Sequence, residues 1–335
     1  MSPSQSISHQ DNYFPPFSSL PLQKDGPRGN AWGRFGPTDS LGMLNLLTPN
    51  VVAQAATQIK TGERVSLDWP LNKPLYPSYK RVAFRHDIIN RGKGGEELRV
   101  VNDDILTFNT QCSSQWDGFR HFGYQREKRY FNNRTHEEIG NSAVLGIDAW
   151  VDSGGIVGRG VLLDYTSWAA RNSIALDVFT RTCIPVSHLQ RMVEEQQISF
   201  EPGDILFLRT GFTAAFNKLS ESQQEAISLR PTADFAGIEA SEETLKFLWN
   251  NQFSAVAGDC PSFEASPVHG PGVDDTWSLH EWLLGGWGMP IGEMFDLEAL
   301  SDKCRETGRW SFFLCSVPLK VPGGVASPPN AVAIF

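Results

Sequence analysis

An aspartate and a histidine four residues apart, Asp117 and His121, belong to the densest polar cluster of the sequence, NTQCSSQWDGFRH at 109–121. A carboxylate and an imidazole in one pocket can hold a metal ion or move a proton, because Asp offers a hard oxygen ligand and His titrates near neutrality. Strand alternation would place Gln111, Gln115 and Asp117 on one side. The spacing equally suits a structural role, in which Asp117 caps a turn and His121 packs in the core.

A second pair, His280 and Glu293, occurs in HEWLLGGWGMPIGE. We expect His280 on a helix and Glu293 beyond the turn at 288–290, so that the two side chains could converge on the same pocket. They would supply one nitrogen and one carboxylate. In isolation the pair also suits a core hydrogen bond for His280 and a cap or ion pair for Glu293.

A third cluster, GDCPSFE at 258–264, follows an apolar strand, where α/β proteins commonly place functional loops. Cys260 could act there as a nucleophile. However, no histidine is near it in sequence, and free cysteine usually behaves as a small apolar residue. We therefore expect a buried thiol at Cys260 and a turn-forming side chain at Asp259.

The elements that must position these residues alternate between strands and helices. Strands are predicted by β-like runs at 64–69, 81–89 and 98–110, expected to form a sheet, and by the apolar runs GRGVLLDY, GDILFLRTG, FSAVAGDC and WSFFLCSVPL. Helices are predicted after the Thr48-Pro49 cap, after a capping box of Ser187 with Gln190, after Ser241, and over 274–284 with Asp at its start. This alternation indicates a mixed α/β fold.

Composition limits the class of protein. The 335 residues are 40% hydrophobic and 20% charged, which excludes wholesale disorder, a collagen-like rod and a long coiled coil. We expect an N-terminal tail or strap over 1–30 and one catalytic domain over 31–330. A formal charge of -9 argues against nucleic acid and anionic membranes as partners. With no signal-peptide pattern and no CxxC pair among five cysteines, we expect a cytoplasmic protein without disulfides.

Taken together, these segments resemble the cyclase family of hydrolases, which includes bacterial-type kynurenine formamidase and isatin hydrolase. The similar segments follow the family's order from Trp32 onward: WGRFGPTDSLGMLNLLTPNVVAQAA, GRGVLLDY, GDILFLRTG, AGDCPSFE and HEWLLGGWGMPIGE. The resemblance implies a single mixed-sheet α/β domain of the swivelling β/β/α-like type with peripheral helices. It also implies a homodimer or homotetramer.

The family signature, His-x-Gly-Thr-His-x-Asp-x-Pro-x-His, falls on residues 111–121 of this chain. Asp117 and His121 match it, whereas Gln111 and Gln115 stand where the family has two metal-ligand histidines. A neutral amide oxygen is a poor ligand for zinc but is acceptable to harder ions. The cofactor is therefore expected to be a divalent metal, Mn, Zn or Mg, or to be absent.

The resemblance also implies roles for site residues. Asp117, His280 and Glu293 would hold the metal, and Asp117, His121 and Glu293 would carry catalysis. The glutamines Gln111 and Gln115, with the aromatic residues Trp116 and Trp282, are expected to contact the substrate.

Three functions stay open at this point. The first is a hydrolase acting on a small cyclic or aromatic amide or ester, similar to a formamidase or lactonase. The second is a metal-independent cyclase, isomerase or dehydratase of secondary metabolism, which explains the glutamines more naturally. The third is a small-molecule binding protein without turnover. All three have a small molecule as the partner.

Overall fold

The structure is a computed structural model that describes residues 14–91, 100–270 and 273–335. Most of the tail predicted over 1–30 lies within this range, and residues 1–13 lie outside it. Phe14 packs on Trp249 at a ring distance of 4.7 Å, and Phe17 stacks on Trp282 at 5.8 Å. The described start of the chain is therefore held against the body by these two aromatic contacts, and the division into a tail or strap and one domain stays a prediction.

A curled mixed sheet forms the centre of the molecule. In the described part of the chain the strands are β1 (Arg64–Ser66), β2 (Arg85–Asn90), β3 (Asn102–Thr107), β4 (Gln115–Asp117), β5 (Arg129–Tyr130), β6 (Arg134–Thr135), β7 (Ile156–Asp164), β8 (Cys183–Ile184), β9 (Ile205–Arg209), β10 (Gly237–Ile238), β11 (Ala255–Gly258), β12 (Ile291–Glu293), β13 (Ser311–Ser316), β14 (Ala326–Ser327) and β15 (Ala331–Ile334). The main sheet has the order β1-β15-β13-β7-β9-β11-β12-β4-β14. Because β15 pairs with β13 inside this sheet, the domain extends past the predicted boundary at residue 330.

The parallel core strands β7, β9, β11 and β12 are covered on both faces. Strand β9 is buried at every position, and the central residues Leu162, Phe207 and Val256 are fully buried. This explains why these strands have continuous apolar runs instead of alternating sequences. The mixed α/β class predicted from the sequence is confirmed.

Helices surround the sheet: α1 (Pro49–Ala55), α2 (His136–Asn141), α3 (Asp148–Asp152), α4 (Tyr165–Arg171), α5 (Val186–Glu195), α6 (Phe212–Asn217), α7 (Glu221–Ser228), α8 (Glu242–Asn250), α9 (Glu298–Thr307) and a π-helical segment, Glu281–Trp287. The predicted caps of α1 by Thr48 and of α8 by Ser241 are confirmed. Among the described residues, none of the helices combines the length and the apolar character needed to cross a bilayer.

Three sequence predictions about elements are wrong. Within the part of the chain that the structure describes, strands β2 and β3 pair with each other alone, and nearly every residue in them is exposed, so the runs at 81–89 and 98–110 form a hairpin instead of a one-sided sheet. The α5 helix begins at Val186 after Pro185, without the Ser187 capping box. Of the helix predicted over 274–284, residues 274–278 are not helical, and residues 281–284 belong to the π-helical segment. In α5 the proline before the helix overrides the capping signal of the sequence. At the second helix, packing of the long apolar run overrides the predicted α-helical pattern.

Candidate active site

Two short antiparallel strands bring three of the predicted site residues onto one face of the sheet. In the pairing of β12 with β4, Glu293 lies opposite Gln115 and Ile291 lies opposite Asp117. Alternation along β4 puts Gln115 and Asp117 on the same face as Glu293. Gly292 allows this close packing, because a Cβ there would lie 2.6 Å from the Cβ of Ala257.

His280 reaches the same face from the residue just before the π-helical segment. Its Nε2 lies 3.2 Å from Glu293 Oε1 and 3.9 Å from Asp117 Oδ2. On the other side of the ring, Nδ1 lies 2.8 Å from Glu264 Oε1. Glu264 also accepts hydrogen bonds from the backbone N–H groups of Leu279 and His280 at 2.9 and 2.8 Å. One carboxylate therefore fixes both the position and the ring orientation of His280.

His121 completes the group from the turn after β4, where its N–H donates to the carbonyl of Gly118 at 2.9 Å. Its Nε2 lies 3.7 Å from Asp117 Oδ2, and its side chain is 21% exposed. The aspartate, in contrast, is fully buried. His121 is thus the more exposed of the two site imidazoles.

The two glutamines link the buried carboxylates. Gln111 Nε2 donates to Asp117 Oδ1 at 2.5 Å, although Gln111 lies in the turn before β4 and not on the strand. Gln115 Nε2 donates to Gln111 Oε1 at 3.1 Å and to Glu293 Oε2 at 2.8 Å. The amide N–H groups that could have held a substrate carbonyl are therefore used to position Asp117 and Glu293.

Burial and charge set the protonation of the cluster. Burial raises the pKa of Glu293 to about 7, and the negative charge of Asp117 acts in the same direction. Burial alone would lower the pKa of His280, but its hydrogen bonds to Glu264 and Glu293 outweigh burial and hold that pKa well above the ordinary value. Burial lowers the pKa of His121, against the opposing effect of Asp117. His121 is consequently a neutral imidazole at neutral pH.

The cluster fits a divalent cation. Asp117, His280 and Glu293 each offer one ligand atom, and these atoms lie within 4.8 Å of one another. Among the described residues, Asp117 Oδ2 and Gln115 Oε1 are buried polar atoms without a hydrogen-bond partner. Buried oxygens of this kind are expensive to leave unpaired, and a cation would satisfy them. One nitrogen and several oxygens form a donor set that suits hard ions better than zinc.

Other predicted site residues lie elsewhere. Trp116 points to the opposite face of β4, where it is fully buried and donates to Ser316 Oγ at 2.9 Å. Trp282 packs with Trp277 and Trp287 beside the strap. Neither lines the cavity next to Gln111, and the expectation that they contact a substrate stays a prediction.

Asp259 and Cys260 in the cluster at 258–264 have structural roles. Cys260 is buried, and burial raises the pKa of its thiol well above the ordinary value, which leaves it a poor nucleophile. Asp259 accepts hydrogen bonds from the backbone N–H groups of residues 210–212 and thereby shapes the turn after β9. These are the roles expected for both. The described cysteines are all free thiols.

Glu264, the last residue of this cluster, is the site residue that sequence reasoning missed. It is 1% exposed and contacts His280, sixteen positions away. Its signal in the sequence is slight: an acidic side chain in the apolar stretch PSFEAS, with no basic residue near it to pair with. Buried carboxylates need a partner, so such a residue must contact a distant donor.

Comparison with known proteins places this architecture among characterised folds. Residues 37–265 match the Cyclase family, described as "Putative cyclase". The crystal structure of a novel cyclase is similar over 92% of this chain and 100% of its own, with 28% identity and a TM-score of 0.78. Isatin hydrolase A from Ralstonia solanacearum is similar over 86% of this chain and 97% of its own, with 15% identity and a TM-score of 0.59.

A further structure, isatin hydrolase A from Labrenzia aggregata bound to benzyl benzoate, covers 87% of this chain and 98% of its own, with 16% identity and a TM-score of 0.56. At this level of identity both isatin hydrolases show the fold alone. No curated protein has significant sequence similarity to the chain.

The curled mixed sheet and the buried cluster of acids and imidazoles define an α/β enzyme. The family match covers more than half of the sequence, and the chain therefore belongs to the cyclase family.

Proposed function

We propose that this protein is a metal-assisted hydrolase of a small cyclic or aromatic amide or ester. The observation that supports it best is the convergence of Asp117, His280 and Glu293, with Asp117 Oδ2 buried and unpaired among them. These three side chains would hold a divalent ion. The chemistry that such an ion supplies when bound is Lewis-acid activation of water and of a substrate carbonyl.

The protein's own residues provide proton transfer and orientation. Neutral His121, beside Asp117 and partly open to solvent, accepts a proton from the attacking water and delivers it to the leaving group. Glu264 keeps the Nε2 of His280 directed at the site by accepting the Nδ1 proton. The amides of Gln111 and Gln115 keep the two acidic side chains in place.

A metal-independent cyclase, isomerase or dehydratase is the second candidate. It is favoured by the chain of hydrogen bonds that runs from Asp117 through the amides of Gln111 and Gln115 to Glu293. Together with the hydrogen bond between His280 and Glu293, this chain satisfies three of the four oxygens of the two carboxylates without an ion. In this alternative Asp117, His121 and Glu293 exchange protons with a substrate directly.

The test combines metal analysis with activity. Protein purified without chelator is assayed for bound metal and for turnover of N-formylkynurenine, isatin and simple lactones, with and without EDTA. The proposal is supported if EDTA abolishes hydrolysis and Mn²⁺ restores it. The second candidate is supported if EDTA does not change turnover. Asp117→Asn should lower kcat by at least about 100-fold, and Asp302→Asn on exposed α9 serves as the matched control.

Gln115→His provides a separate check of the ligand geometry. The side chain of Gln115 already lies 2.8 Å from Glu293, so an imidazole there would add a nitrogen donor to the site. We expect this variant to bind Zn²⁺ at least about tenfold more tightly than the parent protein, measured by competition with a chromophoric chelator. Unchanged affinity would show that the position is not aligned for ligation, which contradicts the proposed metal site.

A further inference from the structure

The acidic cluster is closed to a substrate in this structure. Asp117, His280 and Glu293 are all buried. An apolar recess adjoins them, because Gln111 lines this recess and its amide contacts Asp117. The cavity volume of the recess is about 30 Å³, which is room for about one or two water molecules. A substrate of the kind proposed above therefore cannot reach the three side chains unless part of the wall moves.

One wall of the recess is formed by the segment 74–81. The residues of this segment that line the recess are Pro74, Tyr76, Pro77, Ser78, Tyr79 and Arg81. The end of the segment also lies near the acidic cluster. Burial raises the pKa of Glu293 and lowers that of His121, and the nearby positive charge of Arg81 lowers both. The segment thus extends from the recess to the cluster.

Side chains hold this segment to the body. In the described part of the chain, no backbone–backbone hydrogen bond joins it to another segment. Tyr76 Oη donates to Glu221 Oε1 at the start of α7 at 2.6 Å, and Arg81 Nη1 donates to the carbonyl of Gln111 at 2.7 Å. Segments with few backbone hydrogen bonds to their surroundings open at a lower free-energy cost than strands or core helices.

The backbone of the segment is strained near its exposed end. Tyr79 and Lys80 are exposed and have φ values of 60° and 56°, in the left-handed region that bulky residues rarely adopt. Such conformations cost free energy, and they are typical of ligand clamps and switch regions. Pro74 and Pro77 restrict the rest of the backbone, which favours movement of the segment as one unit.

We propose that residues 74–81 form a lid that opens to admit a small molecule to the acidic cluster, and that the hydrogen bond between Tyr76 and Glu221 is its latch. When this hydrogen bond breaks, the lid leaves the recess and exposes the side chains of Gln111 and Cys112, which line it. The inference rests on the proposed function for the nature of the molecule that enters. The movement of the lid can be measured without any substrate.

Opening is measured through Cys112, a buried free thiol that lines the recess. The full-length protein is treated with iodoacetamide, and the labelling rate of each cysteine is determined by peptide mass spectrometry. Tyr76→Phe keeps the ring and removes the latch, so we expect it to speed the labelling of Cys112 about fivefold or more. Cys304 is buried on α9 outside the recess and should keep its rate.

A second variant tests the latch from its other side. Glu221 is exposed, and Glu221→Ala removes the same hydrogen bond. We expect this variant to speed the labelling of Cys112 as much as Tyr76→Phe does. The double variant should label within about twofold of either single variant, because both changes remove one shared interaction. If the two effects multiply instead, Tyr76 and Glu221 do not form a latch.

The matched control is Tyr130→Phe, because the hydroxyl of Tyr130 also contacts a side chain, His136 Nδ1 at 3.1 Å, and Tyr130 does not line the recess. It should leave the labelling of Cys112 unchanged. Three results would overturn the inference: unchanged labelling of Cys112 in both latch variants, an equal acceleration of Cys304, or an equal effect of Tyr130→Phe.

The lid and the proposed hydrolase can fail separately. Faster labelling of Cys112 in the latch variants, without turnover of any of the substrates named above, would refute the hydrolase and leave the lid in place. Turnover that EDTA abolishes, together with unchanged labelling of Cys112, would refute the lid and leave the hydrolase in place.

Discussion

Glu264 determines which nitrogen of His280 faces the other acids. It accepts hydrogen bonds from Nδ1 and from two backbone N–H groups, so that Nε2 is directed at Glu293 and Asp117. Carboxylates behind a metal-binding imidazole commonly have this role, since they fix the ring and raise its basicity. The residue therefore shapes the site without facing it.

Replacing this carboxylate should weaken metal binding without unfolding the protein. Glu264→Gln keeps the size and one acceptor oxygen but removes the negative charge behind His280. We expect the affinity for Mn²⁺ to fall about 10- to 100-fold, measured by calorimetry. Glu242→Gln, which affects an exposed pair with Lys246, is the control. Unchanged Mn²⁺ affinity in Glu264→Gln would mean that His280 is not a ligand.

At the scale of elements, an ion-pair network holds the sheet to its helices. It is separate from the short strands that position the candidate site residues. Asp164 at the end of β7 contacts Arg209 of β9 at 2.7 Å and Ser301 of α9 at 2.6 Å, and it caps α4 through Ser167. Arg209 in turn pairs with Glu298 at 2.8 Å. One buried carboxylate thus joins two strands and two helices.

The stability of this network should depend on pH. Burial alone would raise the pKa of Asp164, but Arg209, Ser301 and Ser167 outweigh burial and lower that pKa from its ordinary value. A lowered pKa stabilises the fold above the unfolded-state pKa, and this contribution is lost as the pH falls through the folded-state pKa. We expect Asp164→Asn to cost about 3 kcal/mol at pH 7 and less at pH 3.

Urea unfolding of the parent and the variant between pH 3 and pH 7 measures this difference. Asp152→Asn, whose exposed carboxylate pairs with Lys320, is the matched control and should change the free energy of unfolding by less than about 0.5 kcal/mol. A difference between parent and Asp164→Asn that stays constant with pH would show that the ion pair is not the source of the stability.

At the scale of the whole molecule, the candidate ligands come from distant parts of the chain. Asp117 is on β4, His280 precedes the π-helical segment, and Glu293 is on β12. These positions meet only in the folded state, so an ion that binds them stabilises the folded state alone.

Metal addition should therefore raise the melting temperature. At a free concentration 100 times the Kd, binding adds about 2.7 kcal/mol, which for a protein of this size corresponds to about 4 °C. Differential scanning fluorimetry after EDTA treatment, with Mn²⁺, Mg²⁺ or Zn²⁺ added back, measures the shift. Asp117→Asn should abolish it and Asp302→Asn should keep it. An equal shift in Asp117→Asn would assign the effect to other sites on the surface.

Oligomeric state is a property at the same scale and stays a prediction. The sequence resemblance implies a homodimer or homotetramer. The β2–β3 hairpin exposes the apolar side chains of Ile88, Ile105 and Leu106.

The fold class, the order of the family's segments and the types of the candidate ligands could be predicted from local sequence patterns. Buried strands such as β9 have continuous apolar runs, and Asp117, His121, His280 and Glu293 occur in recognisable local patterns. Such local signals can be read from the sequence because each depends on neighbours within a few residues.

The surroundings of these residues, in contrast, depend on how distant segments pack in the fold. This packing put Glu264 behind His280, turned Trp116 to the opposite face of β4 and brought Arg81 to the recess beside Gln111. The physical reason is that the strand register and the pairing of a buried charge are set by contacts between distant segments. A shift of the strand register by one residue changes which side chain faces the cavity, and a short stretch of sequence does not specify this register.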